Sequence, residues 1–263
     1  MKLLRSMAAA FTMYSKFPAP RVEWASDTMA WALCFFPLVG AAIGLVLFLW
    51  LWLAGLLGLG GALTAAGALL LPVFLSGGIH LDGLCDTADA LGSHQSRERK
   101  LEILKDSHIG AFGVITCVLY LIFFFAAWCE LMPLDRRVMG AAALVPVLSR
   151  SCSGLMAVTM PNARGGGLLA AFTQPMDLPK ARLVLGAWVL LSAAAIVALA
   201  PLAGLAAVCA AGLAVLYFRV MSRRQFGGIT GDLAGFFLQI CELGCILAMA
   251  LVPQVWEVLQ GWF

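Results

Sequence analysis

The stretch "FFPLVGAAIGLVLFLWLWLAGLL", residues 35 to 57, runs for more than twenty residues without a charged side chain. A hydrocarbon core about 30 Å thick is crossed by about 20 apolar helical residues. Backbone groups inside lipid must be satisfied within the spanning structure, which leaves helices or closed barrels. Continuous apolar runs, rather than strict alternation, select helices. The rest of the chain agrees. Of 263 residues, 62% are hydrophobic and only 12% charged, against about a quarter charged in soluble domains.

Length and punctuation give seven candidate spans, at about 29–57, 61–79, 111–132, 138–158, 183–200, 202–220 and 233–252. Pro37 offers a kink in the first. Ala200-Pro201 leaves room only for a tight hairpin between the fifth and sixth. The opening "MKLLRSMAAAFTMYSKFPAP" lacks an uninterrupted apolar core before Lys16, so it reads as an amphipathic segment on the membrane surface rather than a cleaved signal peptide. No soluble domain, repeat or low-complexity linker is visible. The expectation is an all-α polytopic helical bundle in which residues 1–263 form one integral-membrane unit.

The eight cysteines are scattered and form no CxxC pair, so they read as reduced, apolar side chains rather than a zinc or disulfide framework. A formal charge of +3, with no basic run interleaved with aromatics, excludes a nucleic-acid surface. The lipid bilayer is the expected partner. Positive charge also orients the chain. With a cytoplasmic N-terminus, that side holds fourteen basic residues: Lys2, Arg5, Lys16, Arg21, Arg97, Arg99, Lys100, Lys105, Arg164, Lys180, Arg182, Arg219, Arg223 and Arg224. The other side holds Arg136 and Arg137, and Arg150 falls within a span. The polar, glycine-containing loops 80–110, 159–182 and 221–232 then share the cytoplasmic face.

The first of these begins with "GGIHLDGLCDTADALG", residues 77 to 92. Asp82, Asp86 and Asp89 stand at i, i+4 and i+7, within about 60° of one another on a helix. Like charges gathered this way repel, and no lysine or arginine is interleaved with them. A solvated helix face is the plain alternative. A divalent cation explains the pattern better, because Mg²⁺ takes carboxylate oxygens and keeps waters. Next, "LKDSHIGAFG" (104–113) combines Lys105, Asp106, Ser107 and His108 with glycines that would let a phosphate approach a helix N-terminus; an ordinary capped helix start is the alternative. "NARGGGL" (162–168) sets Arg164 before three glycines, and "RRQFGGITGDLAG" (223–235) sets paired arginines before a glycine turn and Asp232. Carboxylates for a metal, cations for phosphate and glycines for close approach point to transfer of a phosphorylated group.

Those motifs, in that order and spacing, resemble the cobalamin synthases, the adenosylcobinamide-GDP ribazoletransferase family. "FTMYSKFPAP" and "FFPLVGAAIG" resemble its opening, so the likeness covers nearly the whole chain. Cys85 stands where the family often has alanine. The resemblance implies a Mg²⁺-dependent enzyme of the bacterial inner membrane that joins adenosylcobinamide-GDP to α-ribazole or its 5′-phosphate and releases GMP. It leaves room for a homo-oligomer or an association with other corrinoid-assembly enzymes. It implies Asp82, Asp86 and Asp89 as metal ligands, and His80 or an aspartate (Asp82 or Asp106) as the catalytic base. Lys105, Ser107, Arg164 and Asp232 are expected around substrate phosphates. Arg150 and Glu242, near the middle of the fourth and seventh spans, match polar positions of the pattern and are expected to face a polar interior, paired with each other or reaching the substrate.

Other acidic-motif membrane transferases are the alternative within the same chemistry, but the DxxDGxxAR run of the CDP-alcohol phosphotransferases is absent. A transporter is the alternative outside it, and the paired broken helices of related halves are not visible.

Overall fold

The computed structural model describes residues 2–133 and 135–260, apart from the side chain of Asp27. Within these the chain is helical: α1 (Lys2–Tyr14), α2 (Ser26–Met29), a 3₁₀ turn (Ala32–Phe35), α3 (Phe36–Leu56), α4 (Gly61–Leu75), α5 (Ile79–Gly92), α6 (Arg97–Ile103), α7 (Ala111–Leu131), α8 (Arg136–Ala157), α9 (Gly167–Thr173), α10 (Leu178–Leu199), α11 (Pro201–Phe226) and α12 (Gly231–Gln260). Among the described residues, extended pairing is limited to one parallel bridge between Asn162 and Ile229.

Six helices are long and apolar enough to cross a bilayer: α3 with its 3₁₀ lead, α7, α8, α10, α11 and α12. They coincide with six of the seven expected spans, and Ala200 alone separates α10 from α11. Leu183, Leu190 and Leu213 point outward, as helices facing lipid require. This is a polytopic helical membrane protein.

The second expected span is different. α4 has fifteen residues, or about 22 Å at 1.5 Å per residue, too short to cross the core alone. The chain then bends by 90° into α5. Gly77 and Gly78, at φ +69° and +77°, make the bend, since side chains with a Cβ avoid that region. Pro37 also departs from expectation. It sits in the first turn of α3, where its missing N–H costs nothing, so it starts the helix rather than kinking it.

α8 and α12 form the buried centre. α3 and α10 pack on α8, whereas α5, α7 and α11 pack on α12. Small residues let the axes approach, the usual device where lipid removes a hydrophobic drive between helices. A Cβ on Gly40 would run into the Pro146 carbonyl and one on Gly44 into the Ala143 carbonyl, which seats α3 on α8. A Cβ on Gly83 would meet the Asp232 carbonyl, and one on Gly235 would stand 3.1 Å from the His80 Cα. That second crossing holds α5 against the start of α12. α1 docks alongside: the Lys16 amide donates to the Leu75 carbonyl at 2.7 Å, and Ala8, Ala9 and Ala10 are buried.

If the α3–α8 approach sets the bundle, Gly44→Leu should lower stability by at least the ~1–3 kcal/mol of an overpacked core. Gly55, with no atom within 4 Å of a built Cβ, provides the control as Gly55→Ala. Thermal unfolding of both in one detergent checks this; equal midpoints would show that the crossing is not limiting.

Candidate functional site

Three segments distant in sequence meet at one end of the bundle. The Ala163 amide donates to the Ile229 carbonyl (3.0 Å) and the Ile229 amide to the Pro161 carbonyl (2.9 Å), stitching the loop after α8 to the loop before α12. Lys100 of α6 is buried and donates to Gln225 of α11. Arg164 then closes the group. Its Nη2 donates to Asp232 at 3.0 Å and to the Leu104 carbonyl at 3.1 Å. Its Nε is buried and has no partner among the described residues.

The aspartates of α5 face this arginine. The negative charges of Asp82, Asp232 and Asp89 all act on Asp86, and Arg164 is the cation that offsets them. Asp232, expected around the substrate phosphates, is brought into the acidic group by the α5–α12 crossing. Asp82, with Asp232 and Gly231, lines a cavity of about 110 Å³ between α5, α12, α1 and α9.

Asp89 behaves differently from its neighbours. One carboxylate oxygen accepts from the Gly110 amide (2.7 Å) and the other from the Gly113 amide (2.8 Å). A carboxylate at a helix N-terminus satisfies orphan donors and meets the positive end of the dipole. The sequence had suggested a phosphate at these glycines. Asp89 takes that place, and a Cβ on either glycine would collide with its carboxylate. The loop before it, Lys105, Asp106, Ser107 and His108, is exposed. There the His108 ring (2.8 Å) and backbone amide (3.0 Å) both meet Asp106 and hold its carboxyl below the ordinary range. These contacts tie Asp106 to its own loop.

His80 lies at the inner wall of the cavity. It is 6% exposed, and Nε2 has no hydrogen-bond partner among the described residues. Behind it lies a polar interior. Arg150 and Glu242 form the expected ion pair, with Nη1 to Oε1 at 2.8 Å. Ser149 adds a 2.7 Å bond to the same oxygen, and Tyr120 donates to Gln239 nearby. The Arg150 guanidinium lies 5.7 Å from the Phe36 ring centroid, and Phe36 packs edge-on against His80 at 5.9 Å. The pair therefore supports the wall that holds His80.

Sequence reasoning missed Tyr14, Phe36 and Phe172, which line the cavity. Nothing marks them in an apolar chain, and Phe172 belongs to a seven-residue helix inside what read as a loop.

A multi-pass helical bundle with a carboxylate and arginine site at one end defines a membrane-embedded protein with its polar site at a helix-end junction. The sequence profile of the cobalamin-5-phosphate synthases matches residues 6–250, and the chain belongs to that family. It is 40% identical over 97% of its length to an adenosylcobinamide-GDP ribazoletransferase of Lachnoclostridium phytofermentans, covering 97% of that protein. It is 31% identical to one from Clostridium perfringens (94% of this chain, 98% of the relative) and 38% identical to one from Pseudomonas savastanoi pv. phaseolicola (84% and 88%). These relatives are transferases by name. No solved structure matches significantly.

Two expectations follow from the contacts. Asp89→Ala should destabilise the protein by ~1–2 kcal/mol, the scale of a lost helix cap, while Asp82→Ala, at an exposed position, leaves stability unchanged. Chemical denaturation in mixed micelles reads both, and equal losses would refute the division. Second, Arg150→Ala or Glu242→Ala each strands a buried charge, at a cost of ~3–5 kcal/mol. The double variant Arg150→Met/Glu242→Leu should recover most of it. A double variant as unstable as either single would show that the charges are not acting as a pair.

Proposed function

We propose that this chain transfers the adenosylcobinamide-phosphate moiety of adenosylcobinamide-GDP to α-ribazole or its 5′-phosphate, forming adenosylcobalamin or its 5′-phosphate and releasing GMP. The observation that carries this reading is the match, over nearly the whole chain, to relatives named for that transferase activity. The ribose 3′-hydroxyl oxygen forms a bond to the phosphorus bearing the aminopropanol arm. The bond from that phosphorus to the bridging pyrophosphate oxygen breaks, and GMP leaves with the electron pair. The hydroxyl proton passes to a base.

The residues divide the work by position. Arg164, held through Nη2 by Asp232 and the Leu104 carbonyl, binds phosphate oxygens with the rest of its guanidinium. Lys105 and Ser107 of the exposed loop meet the same phosphates. His80 and Asp82, both on the cavity wall, are the candidate bases, and Asp106 orients the exposed loop. Arg150 and Glu242 hold the inner wall rather than the substrate.

A Mg²⁺ requirement is supported by the donor set: Asp82, Asp86 and Asp232 lie within electrostatic reach of one another with Arg164 as the offsetting cation. Among the described residues no three histidine, cysteine, aspartate or glutamate side chains stand together closely enough to hold a metal ion by themselves. Mg²⁺ suits such a place, because it commonly binds through one or two carboxylates plus substrate phosphates and water. Asp82 and Asp86 would be its main ligands, with Asp89 contributing lone pairs left over from its two amides. Bound there, Mg²⁺ would neutralise the pyrophosphate and the departing phosphate. The basic loops of this end support a cytoplasmic site in a bacterial inner membrane.

GMP release by the purified protein, given both substrates, tests the reading. Asp82→Ala and Asp86→Asn should abolish release while the protein stays folded, and chelation should stop it until Mg²⁺ is restored. Arg164→Ala should weaken binding of the GDP-linked substrate by about ten- to a hundredfold, the ~1.5–3 kcal/mol of a charge-assisted contact. Full activity in both aspartate variants would overturn the metal assignment; no release by the parent protein would overturn the reaction.

A further inference from the structure

The cavity onto which Asp82 and Asp232 open has an apolar half that the reacting groups leave unused. Tyr14, at the end of α1, lies against Phe36 with ring centroids 4.3 Å apart, and 5.8 Å from Phe172 of α9. Trp24 reaches Phe172 from outside at 6.3 Å. Leu168 and Leu238 line the same space. Burial pushes the Tyr14 phenol well up, so that ring stays neutral. Aromatic side chains normally fill a core; here they surround a space of about 110 Å³.

We infer that this half of the cavity seats the flat aromatic base of the acceptor nucleoside. The inference rests on the transfer reaction proposed above. The donor offers three parts, and none suits the space. A corrin macrocycle is far too large for it. The phosphates belong with Arg164 at the charged end. Guanine presents an edge of donors that would have to engage Asp82 or Asp232, the carboxylates the reaction needs for metal and phosphate, and its remaining polar atoms would stay unpaired against aromatic and leucine walls, which is costly when buried. A benzimidazole base is flat and weakly polar. It gains from offset or edge contacts with aromatic rings in a pocket that is mostly apolar with a few convergent polar groups. Those polar groups are Asp82 and Asp232, on the same cavity. A base held by the rings thus turns its ribose toward the carboxylates. The seat also requires α1 in place, since Tyr14 comes from it.

Leu168 allows a clean test, because it lines the cavity yet is 45% exposed, so a larger side chain there need not disturb the core. Binding of α-ribazole to the purified parent protein and to Leu168→Trp is measured by calorimetry, beside GMP-release kinetics in which each substrate is varied. The expected result is acceptor affinity at least about tenfold weaker, the scale of overfilling a packed space, with the KM for adenosylcobinamide-GDP unchanged. Leu168→Ala, which opens the same wall, should accept a bulkier benzimidazole ribonucleoside that the parent rejects, and it guards against misfolding of the tryptophan variant. Unchanged acceptor binding in Leu168→Trp, or a rise confined to the donor KM, overturns the inference while parent turnover leaves the reaction standing. Acceptor binding lost in Leu168→Trp from a parent that releases no GMP would keep the seat and refute the reaction.

Discussion

The close approach of α5 to α12 at Gly83 and Gly235 is the constraint on which the site depends. With any Cβ at Gly83, the Asp232 carbonyl would have to move, and the two helices would separate. Asp86 would then lose the neighbouring Asp232 charge, and Arg164, bonded to Asp232, would be drawn out of register with α5. Concentrating like charges opposes folding, so the crossing must be held by something stronger. It is held by backbone contact and by apolar burial of Leu84, Leu233 and Phe237. The site is thus a strained electrostatic arrangement carried on a well-packed seam.

Behind that seam the structure uses charge in the opposite sense. Arg150 and Glu242 are matched, nearly sealed from solvent and braced by Ser149. A compensated buried pair adds little net stability but makes its removal costly. Its geometric effect reaches His80 through Phe36, which packs against both the guanidinium and the imidazole. One face of the cavity is therefore positioned by polar groups that never need to meet a substrate.

The fold was largely legible because lipid imposes a length and polarity rule on each helix. Six spans read from apolar runs match the long helices, and the i, i+4, i+7 aspartates do lie on a helix. The α4–α5 pair passes as one broken span, and its bend was hidden for a physical reason: composition records apolarity but not a 90° bend, and two left-handed glycines within an apolar run look the same as any others. Pro37 misled for a related reason, since proline breaks a helix interior and favours a first turn, and only the boundary decides which. The site was legible in its charges. Asp82, Asp86, Arg164 and Asp232 gather, and Arg150 meets Glu242. It was illegible in its walls, because Tyr14 and Phe172 are ordinary aromatics among many, and in the use of Asp89, because a carboxylate spaced like a ligand can equally reach the amides of the next helix.

The bidentate grip of Asp89 on Gly110 and Gly113 makes those three positions one unit of inheritance. Each glycine is small because a carboxylate occupies the space its side chain would fill, and the carboxylate is tolerated because two amides receive it. A change at position 89 to a residue without acceptor oxygens releases both glycines from the requirement to be small, and also leaves their amides unmet. Drift at one position alone is therefore penalised whichever moves first. Across related chains the three should be exchanged together or kept together, on a timetable separate from that of Asp86 one turn away and Asp82 two turns away.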